Sequence, residues 1–531
     1  MTVFKSILGL GAAVVLGASC VEVDKSLGES LLPDAQAFKF HNFTVELDDI
    51  RMQKADSLSE FSVYRIAFGA TNDDLFGVSM HSSAFYLFPV LDTLDFGDEG
   101  TQVFKNFHVS APLDTISCTS PDQAYILQNI NVYALTEPMD TKKGVPALSV
   151  DKSRRISRGV PVYNGLDSLS FDLNEEYARK YFSITREELD DLGTYLERLP
   201  GIYISTDAPS GYGGRVNMFK LPVDVYNSSI RGSCASLSFS AEYNGERKDS
   251  VFYFYIGPAE KYNITGVTST DVSTYPQIAL NLTEHSSAAL EGAAADVMYF
   301  EGGRGIKPVI DASSLREKVA SEIIAAGGDP STVIINKASL ELPFDFPENY
   351  EDMLYYPTTL SPTCRIFNAS TGRVSFVGIT DNSVSEEDPG TVNRSLCKYS
   401  PDITHHLQQL LRLEDMSAVS NYDIWFLAMA QETITTTSSA NSENADYYRQ
   451  LAYNSYYSQM YGGGYGGYGY SSYYTNYYNY MMMAQMASTS TTTTSTQSMM
   501  DANRYYRATL CGPASARRPS VSVVYAIPAE D

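Results

Sequence analysis

Short apolar runs separated by turn residues recur along most of this chain. Phe40, Phe43 and Val45 begin the pattern, and the run FYLF at 85–88 repeats it after a turn rich in Asn and Asp, AFGATNDDLFG at 67–77. Runs of this length and spacing are typical of the strands of β-sandwiches. The sequence therefore predicts a mainly β fold of two sandwich-like domains with a few short helices.

The clearest local prediction is a β-hairpin. Residues 237–243 alternate between apolar and polar side chains, Asn244-Gly245 follows, and residues 251–256 return to an apolar pattern. Asn-Gly favours a two-residue type I′ turn because both residues tolerate positive φ. This hairpin closes a predicted N-terminal domain at 38–260, and we assign a second β domain to 261–440 and 505–531.

Two regions have apolar side chains at helical spacing. The first lies within 174–199, where leucines recur every three or four residues before Pro200-Gly201. The second begins at a predicted capping box at 314–317 and ends at Gly327-Gly328. Four acidic residues of the first region are assigned to the solvated face of an amphipathic helix rather than to a catalytic pair: Glu187, Glu188, Asp190 and Asp191.

A third short helix is predicted at 403–413, and it carries His405 and His406. Neighbouring positions on a helix point in different directions, so these two side chains cannot easily share one metal ion. We expect both at the surface. Asp73 and Asp74 are a weak calcium candidate, because no dense acidic loop surrounds them, and turn formation is the simpler interpretation. No cofactor and no metal site is predicted.

The composition shifts abruptly near the carboxyl end of the chain. Residues 451–500 contain no Asp, Glu, Lys or Arg, and they include the tract YGGGYGGYGYSSYYTNYYNY at 461–480 followed by three methionines. We assign 441–504 to a low-complexity insertion, a long loop before the last strand at 521–525, which we expect to pair with the strand of Trp425. Tyrosine and methionine suit adaptable interfaces, whereas inert filler is the alternative. The predicted partner contacts are Tyr461, Tyr465, Tyr468, Tyr470, Tyr473, Tyr474, Met481, Met482 and Met483.

The first residues of the chain carry the pattern of a bacterial lipoprotein signal peptide. Lys5 precedes an apolar run, Ile7 to Leu16, and a small-residue cleavage site ends at Cys20. The run is shorter than the ~20 residues that span a bilayer. We therefore predict removal of residues 1–19, lipidation of Cys20 and a tether at 20–37, although Gly17 occupies the position usually held by a large apolar residue.

Charge and cysteine content narrow the function further. The formal net charge of -25 argues against nucleic-acid binding, which requires clustered Lys and Arg. The five cysteines after Cys20 are widely spaced, without a Cys-x-x-Cys motif. Cys364 with Cys397 is the first disulfide to test, and five unpaired thiols are the alternative. The glycine-rich turn at 301–305 lacks the residues of a phosphate-binding loop.

The order of several segments resembles a family of Bacteroidetes outer-membrane lipoproteins known as domain of unknown function 4270. The matching segments are SLGESLLP after Cys20, AFGATNDDLFG, LPGIYIST, MYFEGGRGIKP, VIINKASLELP, ITHHLQQLL and LCGPASARRPSVSVVYAIP. The resemblance implies an outer-membrane lipoprotein that is mainly β and has no catalytic motif. It also implies that acidic residues after the lipidated cysteine, here Glu22 and Asp24, favour display at the cell surface over the periplasmic face.

The resemblance further implies O-glycosylation at Asp-Ser/Thr-apolar triplets. Five triplets match, and their candidate acceptors are Ser57, Thr93, Thr115, Ser168 and Ser250. The alternative is that such triplets simply begin strands.

Three functions are compatible with these observations. We favour a non-catalytic, lipid-anchored subunit of an outer-membrane assembly that contacts a protein partner through the tyrosine and methionine tract. The alternative is a glycan-binding surface lipoprotein with exposed tyrosines. A glycosidase is third, because acidic residues are too abundant for the sequence to select a catalytic pair, and the common hydrolase motifs are missing.

Overall fold

The computed structural model describes most of the chain between residues 38 and 528. The described ranges are 38–58, 61–62, 65–90, 94–114, 126–139, 148–166, 168–226, 229–256, 259–263, 279–286, 290–368, 373–380, 387–437, 492–500 and 506–528. Strands dominate these ranges, which confirms the predicted mainly β class.

The strands follow one another in short segments. In the first half of the chain they are β1 Phe38–Glu46, β2 Ile50–Lys54, β3 Phe61–Ser62, β4 Arg65–Asp73, β5 Gly77–Phe85, β6 Phe88–Pro89, β7 Val103–Pro112, β8 Gln128–Asn129, β9 Asn131–Leu135, β10 Val150–Arg155, β11 Val162–Tyr163, β12 Ser168–Asp172, β13 Ile202–Ser205, β14 Gly213–Lys220, β15 Val223–Tyr226, β16 Ser229–Gly232, β17 Cys234–Tyr243, β18 Glu246–Tyr255 and β19 Ala259–Asn263. In the second half they are β20 Ala279–His285, β21 Gly292–Ala293, β22 Val297–Glu301, β23 Ile306–Ile310, β24 Ile334–Pro343, β25 Thr359–Asn368, β26 Arg373–Gly378, β27 Val392–Asn393, β28 Lys398–Tyr399, β29 Ile424–Thr437, β30 Thr492–Met500, β31 Arg507–Cys511 and β32 Ser520–Pro528.

Helices are short and few within the described residues. The α-helices are α1 Glu175–Arg179, α2 Arg186–Asp190, α3 Leu192–Arg198, α4 Ala312–Ala325 and α5 Thr404–Leu411, and two 3₁₀ helices span Tyr350–Leu354 and Met416–Tyr422.

One hydrophobic core lies between two sheets, which together form the first sandwich. An eight-stranded sheet contains β10-β9-β13-β5-β20-β3 with β4 and β14, and a five-stranded sheet has the order β12-β7-β17-β18-β6. Phe68 and Phe85 from the first sheet and Phe107 and Phe239 from the second are fully buried in this core. Alternation along each strand turns these aromatic side chains inward, and the segment that contains α1 to α3 adds Tyr181 and other apolar residues to the same core.

A separate core fills the second sandwich. Its sheets have the orders β1-β32-β24-β28-β27 and β21-β2-β23-β29-β25-β26, and β30 pairs with β29. Val521, Val523 and Leu340 from one sheet and Ile310 and Phe426 from the other are buried in this core. Helices α4 and α5 cover part of it.

The pairing of strands differs from the predicted domain boundaries at two places. Strands β1 and β2 belong to the second sandwich, because β1 pairs with β32 and β2 with β23. Strand β20, assigned by sequence to the second domain, pairs with β5 in the first sandwich. From residue 38 onward, the chain therefore runs through strands of the second sandwich, then through the first sandwich, and then returns to the second. Each sandwich combines segments that are distant in sequence.

The local predictions agree with the structure where they rest on turn and helix chemistry. Strands β17 and β18 form the predicted hairpin, and Asn244 and Gly245 have φ of 54° and 82°. The first helical region is three short helices rather than one. Helix α4 buries Leu315 and Val319 as expected, but its N-cap is Asp311, which accepts from Ser314 N, so the predicted capping box at 314–317 is wrong.

The predicted partner of the last strand is also wrong. Strand β32 pairs with β1 and β24, whereas the strand of Trp425, β29, pairs with β23, β25 and β30. Two further strands, β30 and β31, separate the tyrosine and methionine tract from β32. Residues 492–500, which the sequence assigned to the low-complexity insertion, form β30 itself.

Candidate functional site

Several predicted functional residues lie outside the described residues. These are the lipidation site Cys20, the acceptors Thr93 and Thr115, and the nine tyrosines and methionines proposed as partner contacts. Among the residues that are described, no helix has the length and apolar character needed to cross a membrane.

The other three glycosylation candidates are partly accessible. Ser57 lies in a turn, where its hydroxyl accepts a hydrogen bond from Arg365 Nε at 3.0 Å. Ser168 begins β12 and Ser250 lies within β18, with its hydroxyl 3.0 Å from that of Tyr243. These positions leave glycosylation a prediction.

The two cysteines predicted as the first disulfide to test both have free thiols. Cys364 is buried on β25 and Cys397 is half-buried, and neither forms a disulfide. Cys364 Sγ instead lies 3.7 Å from His406 Nδ1. The expectation that His406 is at the surface is wrong, since its ring is buried and its Nε2 lies 3.0 Å from Tyr422 O. His405 has a half-exposed side chain, as expected.

A buried cysteine beside a histidine resembles a nucleophile with its base, but the environment opposes this chemistry. Burial raises the pKa of the Cys364 thiol far above its usual range, and the charge of Asp423 adds to the effect. Burial also lowers the pKa of His406 to about 4. Both groups are therefore neutral at pH 7, whereas a reactive cysteine needs its thiolate form. We assign the pair to packing.

A second polar cluster lies between the two sandwiches. His285 on β20 and Glu301 on β22 are buried, with Nδ1 and Oε1 2.9 Å apart. Lys307 Nζ on β23 donates to Glu301 O at 2.5 Å and lies 4.4 Å from the centroid of the Phe300 ring. The ring of His81 on β5 stands edge-on to His285, and burial lowers its pKa to about 3, helped by His285.

The cluster of His81, His285, Glu301 and Lys307 joins strands of both sandwiches. It is enclosed, and the described residues contain no group of three or more His, Cys, Asp or Glu side chains arranged to hold a metal ion. Sequence analysis missed it, although Lys307 within the apolar strand IKPVI is a signal that a buried partner is needed.

An open cleft lies among the described residues. It lies between the sandwiches, has a volume of about 820 Å³ and is lined by residues 71–76 and 212–215 of the first sandwich. The second sandwich contributes residues between 347 and 356, together with 507–509 of β31. The β4–β5 turn and the 3₁₀ helix Tyr350–Leu354 thus form opposite walls.

Asp73 and Arg507 join these walls at the floor of the cleft. Arg507 Nη1 lies 2.9 Å from Asp73 Oδ2, and its guanidinium stacks 4.8 Å from the centroid of the Tyr355 ring. Asp73 Oδ1 also accepts from the backbone N–H groups of Leu75 and Phe76. The Asp73 carboxylate therefore stabilises the turn predicted at this position, and both of its oxygens have a partner in the protein.

Two further cleft residues have accessible or unused polar groups. Tyr212, just before β14, is 73% exposed. Thr71 is buried on β4, and its Oγ1 makes no hydrogen bond to any described residue. Opposite Thr71 is Gly214, where φ is +104° and a Cβ would collide with Ala70 O. No local sequence signal indicates this cleft, because its walls come from distant segments.

Comparison with known proteins assigns neither a family nor a function to this chain. No family model, no curated protein and no solved structure matches this chain. The resemblance to Bacteroidetes lipoproteins stays a prediction, and the geometry of the described residues has to support any functional proposal.

Proposed function

We propose that this protein is a non-catalytic, lipid-anchored outer-membrane protein, displayed at the cell surface, that acts as a binding subunit of a membrane assembly. The lipid on Cys20 holds it to the membrane. The tract at 461–483 contacts a protein partner.

The pairing of β29 with β30 is the observation that carries this proposal. The two strands run antiparallel from Met429 opposite Met500 to Thr437 opposite Thr492. The ends of the segment 438–491 are therefore held side by side at the end of a hairpin that continues from the second sandwich. An insertion of this length between paired strands is typical of a functional loop, and its tyrosines and methionines suit protein contact.

The chemistry of the described residues also favours binding over catalysis. The Cys364 and His406 pair is neutral and buried. The buried cluster of His81, His285, Glu301 and Lys307 is enclosed by both sandwiches.

The test is affinity purification of the tagged full-length protein from its native membrane in mild detergent. We expect a membrane protein to co-purify in near-equal amount. Serine replacement of the nine predicted contacts, Tyr461, Tyr465, Tyr468, Tyr470, Tyr473, Tyr474, Met481, Met482 and Met483, should abolish this retention while β29 and β30 remain intact.

Deletion of 451–500 is a poor variant, because it also removes β30. The matched control replaces three exposed apolar residues outside the tract, Phe40, Leu127 and Phe367, with serine and should retain the partner. A solitary wild-type protein, or equal retention by both variants, contradicts the proposed subunit.

The anchor is tested separately with Cys20→Ala. We expect this variant to lose incorporation of a labelled fatty acid and to leave the membrane fraction. Unchanged labelling would show that the lipid is attached elsewhere or that labelling is unspecific.

A further inference from the structure

We propose that the cleft between the sandwiches binds a neutral oligosaccharide. The described residues that line the cleft do not belong to the tyrosine and methionine tract, and this proposal does not rest on the proposed function. Its volume of about 820 Å³ falls within the range of ligand pockets, roughly 300–1,000 Å³.

The charge distribution of the cleft selects against other ligand classes. At the floor, Arg507 and Asp73 form an ion pair and compensate each other. Asp73 has further hydrogen bonds to two backbone N–H groups, so it has little capacity left for a cationic ligand. An apolar ligand would strip water from these charged groups without replacing their hydrogen bonds, which is costly.

Acidic residues are confined to the walls and rim. Asp74 and Glu348 are exposed, and Glu351 and Asp352 are half-buried in the first turn of the 3₁₀ helix. They disfavour anions such as uronic acids. Exposed carboxylates attract a cation only weakly, because water and salt screen them. Carboxylates are nevertheless good acceptors for the hydroxyl groups of a neutral sugar.

Tyr212 provides the remaining feature of a sugar site. It lines the cleft and is mostly exposed. Its electron-rich ring face suits the C–H face of a pyranose.

The experiment is isothermal titration calorimetry of the full mature protein with maltoheptaose, xylohexaose and mannohexaose at millimolar concentration. Trigalacturonate and hexalysine are the charged comparisons. We expect at least one neutral oligosaccharide to bind and neither charged ligand to do so. Tyr212→Ala should weaken that binding about tenfold, since loss of one stacking contact is of this order.

Thr71→Val is a control beneath the cleft surface, because the Thr71 hydroxyl is inaccessible to a ligand, and it should bind as the wild type does. Phe40→Ala, an exposed aromatic residue of β1 outside the cleft, is the second control and should bind as the wild type does.

Three results would overturn the proposal. The first is no binding of any of the three neutral oligosaccharides. The second is binding of hexalysine or trigalacturonate in their place. The third is equal affinity of Tyr212→Ala and Phe40→Ala, which would put the sugar outside this cleft.

Discussion

Acidification should destabilise this protein through a buried histidine of α5, His406. Its ring is enclosed, and burial lowers its pKa to about 4, although the contact with Tyr422 O opposes this shift. In the unfolded chain the same imidazole binds a proton near its ordinary pKa of about 6.5. The unfolded state therefore takes up more protons as the pH falls below this value, and the folded state becomes less stable.

The magnitude follows from the two pKa values. Stabilisation by the neutral imidazole is complete above pH 6.5 and is lost as the pH falls toward 4. Between about pH 7 and about pH 5, His406 alone should reduce the free energy of unfolding by about 2 kcal/mol. His81, whose pKa burial lowers to about 3, should contribute a similar loss of about 2 kcal/mol.

The assay is urea unfolding at both pH values, followed by the fluorescence of Trp425, the only tryptophan in the chain. This residue is buried on β29, where it packs with Ala55, Leu58 and Val309, so unfolding of the second sandwich should expose it. The variant is His406→Gln, whose amide nitrogen can still donate to Tyr422 O but does not titrate. Its loss of stability on acidification should be about 2 kcal/mol smaller than that of the wild type.

His405→Gln is the matched control, because it removes the neighbouring, half-exposed imidazole. We expect it to lose more stability on acidification than His406→Gln does, because it retains the buried His406. If His406→Gln and the wild type lose equal stability between the two pH values, burial does not keep His406 neutral and the reasoning is refuted.

Three further predictions concern packing. Asp114→Asn should lower the free energy of unfolding by about 3–5 kcal/mol in urea titrations, because it removes the carboxylate that lies 2.8 Å from Nε of the buried Arg65. Asp249→Asn, which changes an exposed ion pair, is the control. A loss below about 1 kcal/mol relative to this control would contradict the prediction. Native maleimide labelling read by peptide mass spectrometry should modify Cys397 before Cys364, since only Cys364 is fully enclosed, and equal rates would contradict its burial. Gly214→Ala should cost more than about 1 kcal/mol in thermal unfolding because of its positive φ and the collision with a neighbouring carbonyl, whereas Gly193→Ala should be tolerated.

The sequence predicted the elements whose signals are local. Asn244-Gly245 is sufficient to define a hairpin turn, since both residues must adopt positive φ, and the alternating strands around it pair as expected. Leu315, Val319 and Ile323 likewise define the buried face of α4, since their spacing places them on one side of a helix. The N-cap was misplaced by three residues, because Asp311 and Ser314 are both good caps and only the backbone distinguishes them.

The tertiary structure decided what distant segments bring together. Strand β32 has the alternating pattern of any half-buried strand. Its sequence therefore does not indicate whether it pairs with β29, the strand of Trp425, or with its actual partners β1 and β24. His406 is buried although His405 is not, because α5 packs one face against β24 and β25. The floor of the cleft depends on Asp73 and Arg507, which are 434 positions apart. Composition and local turn chemistry determined the class of fold, while burial and long-range pairing determined which polar residues are accessible for binding.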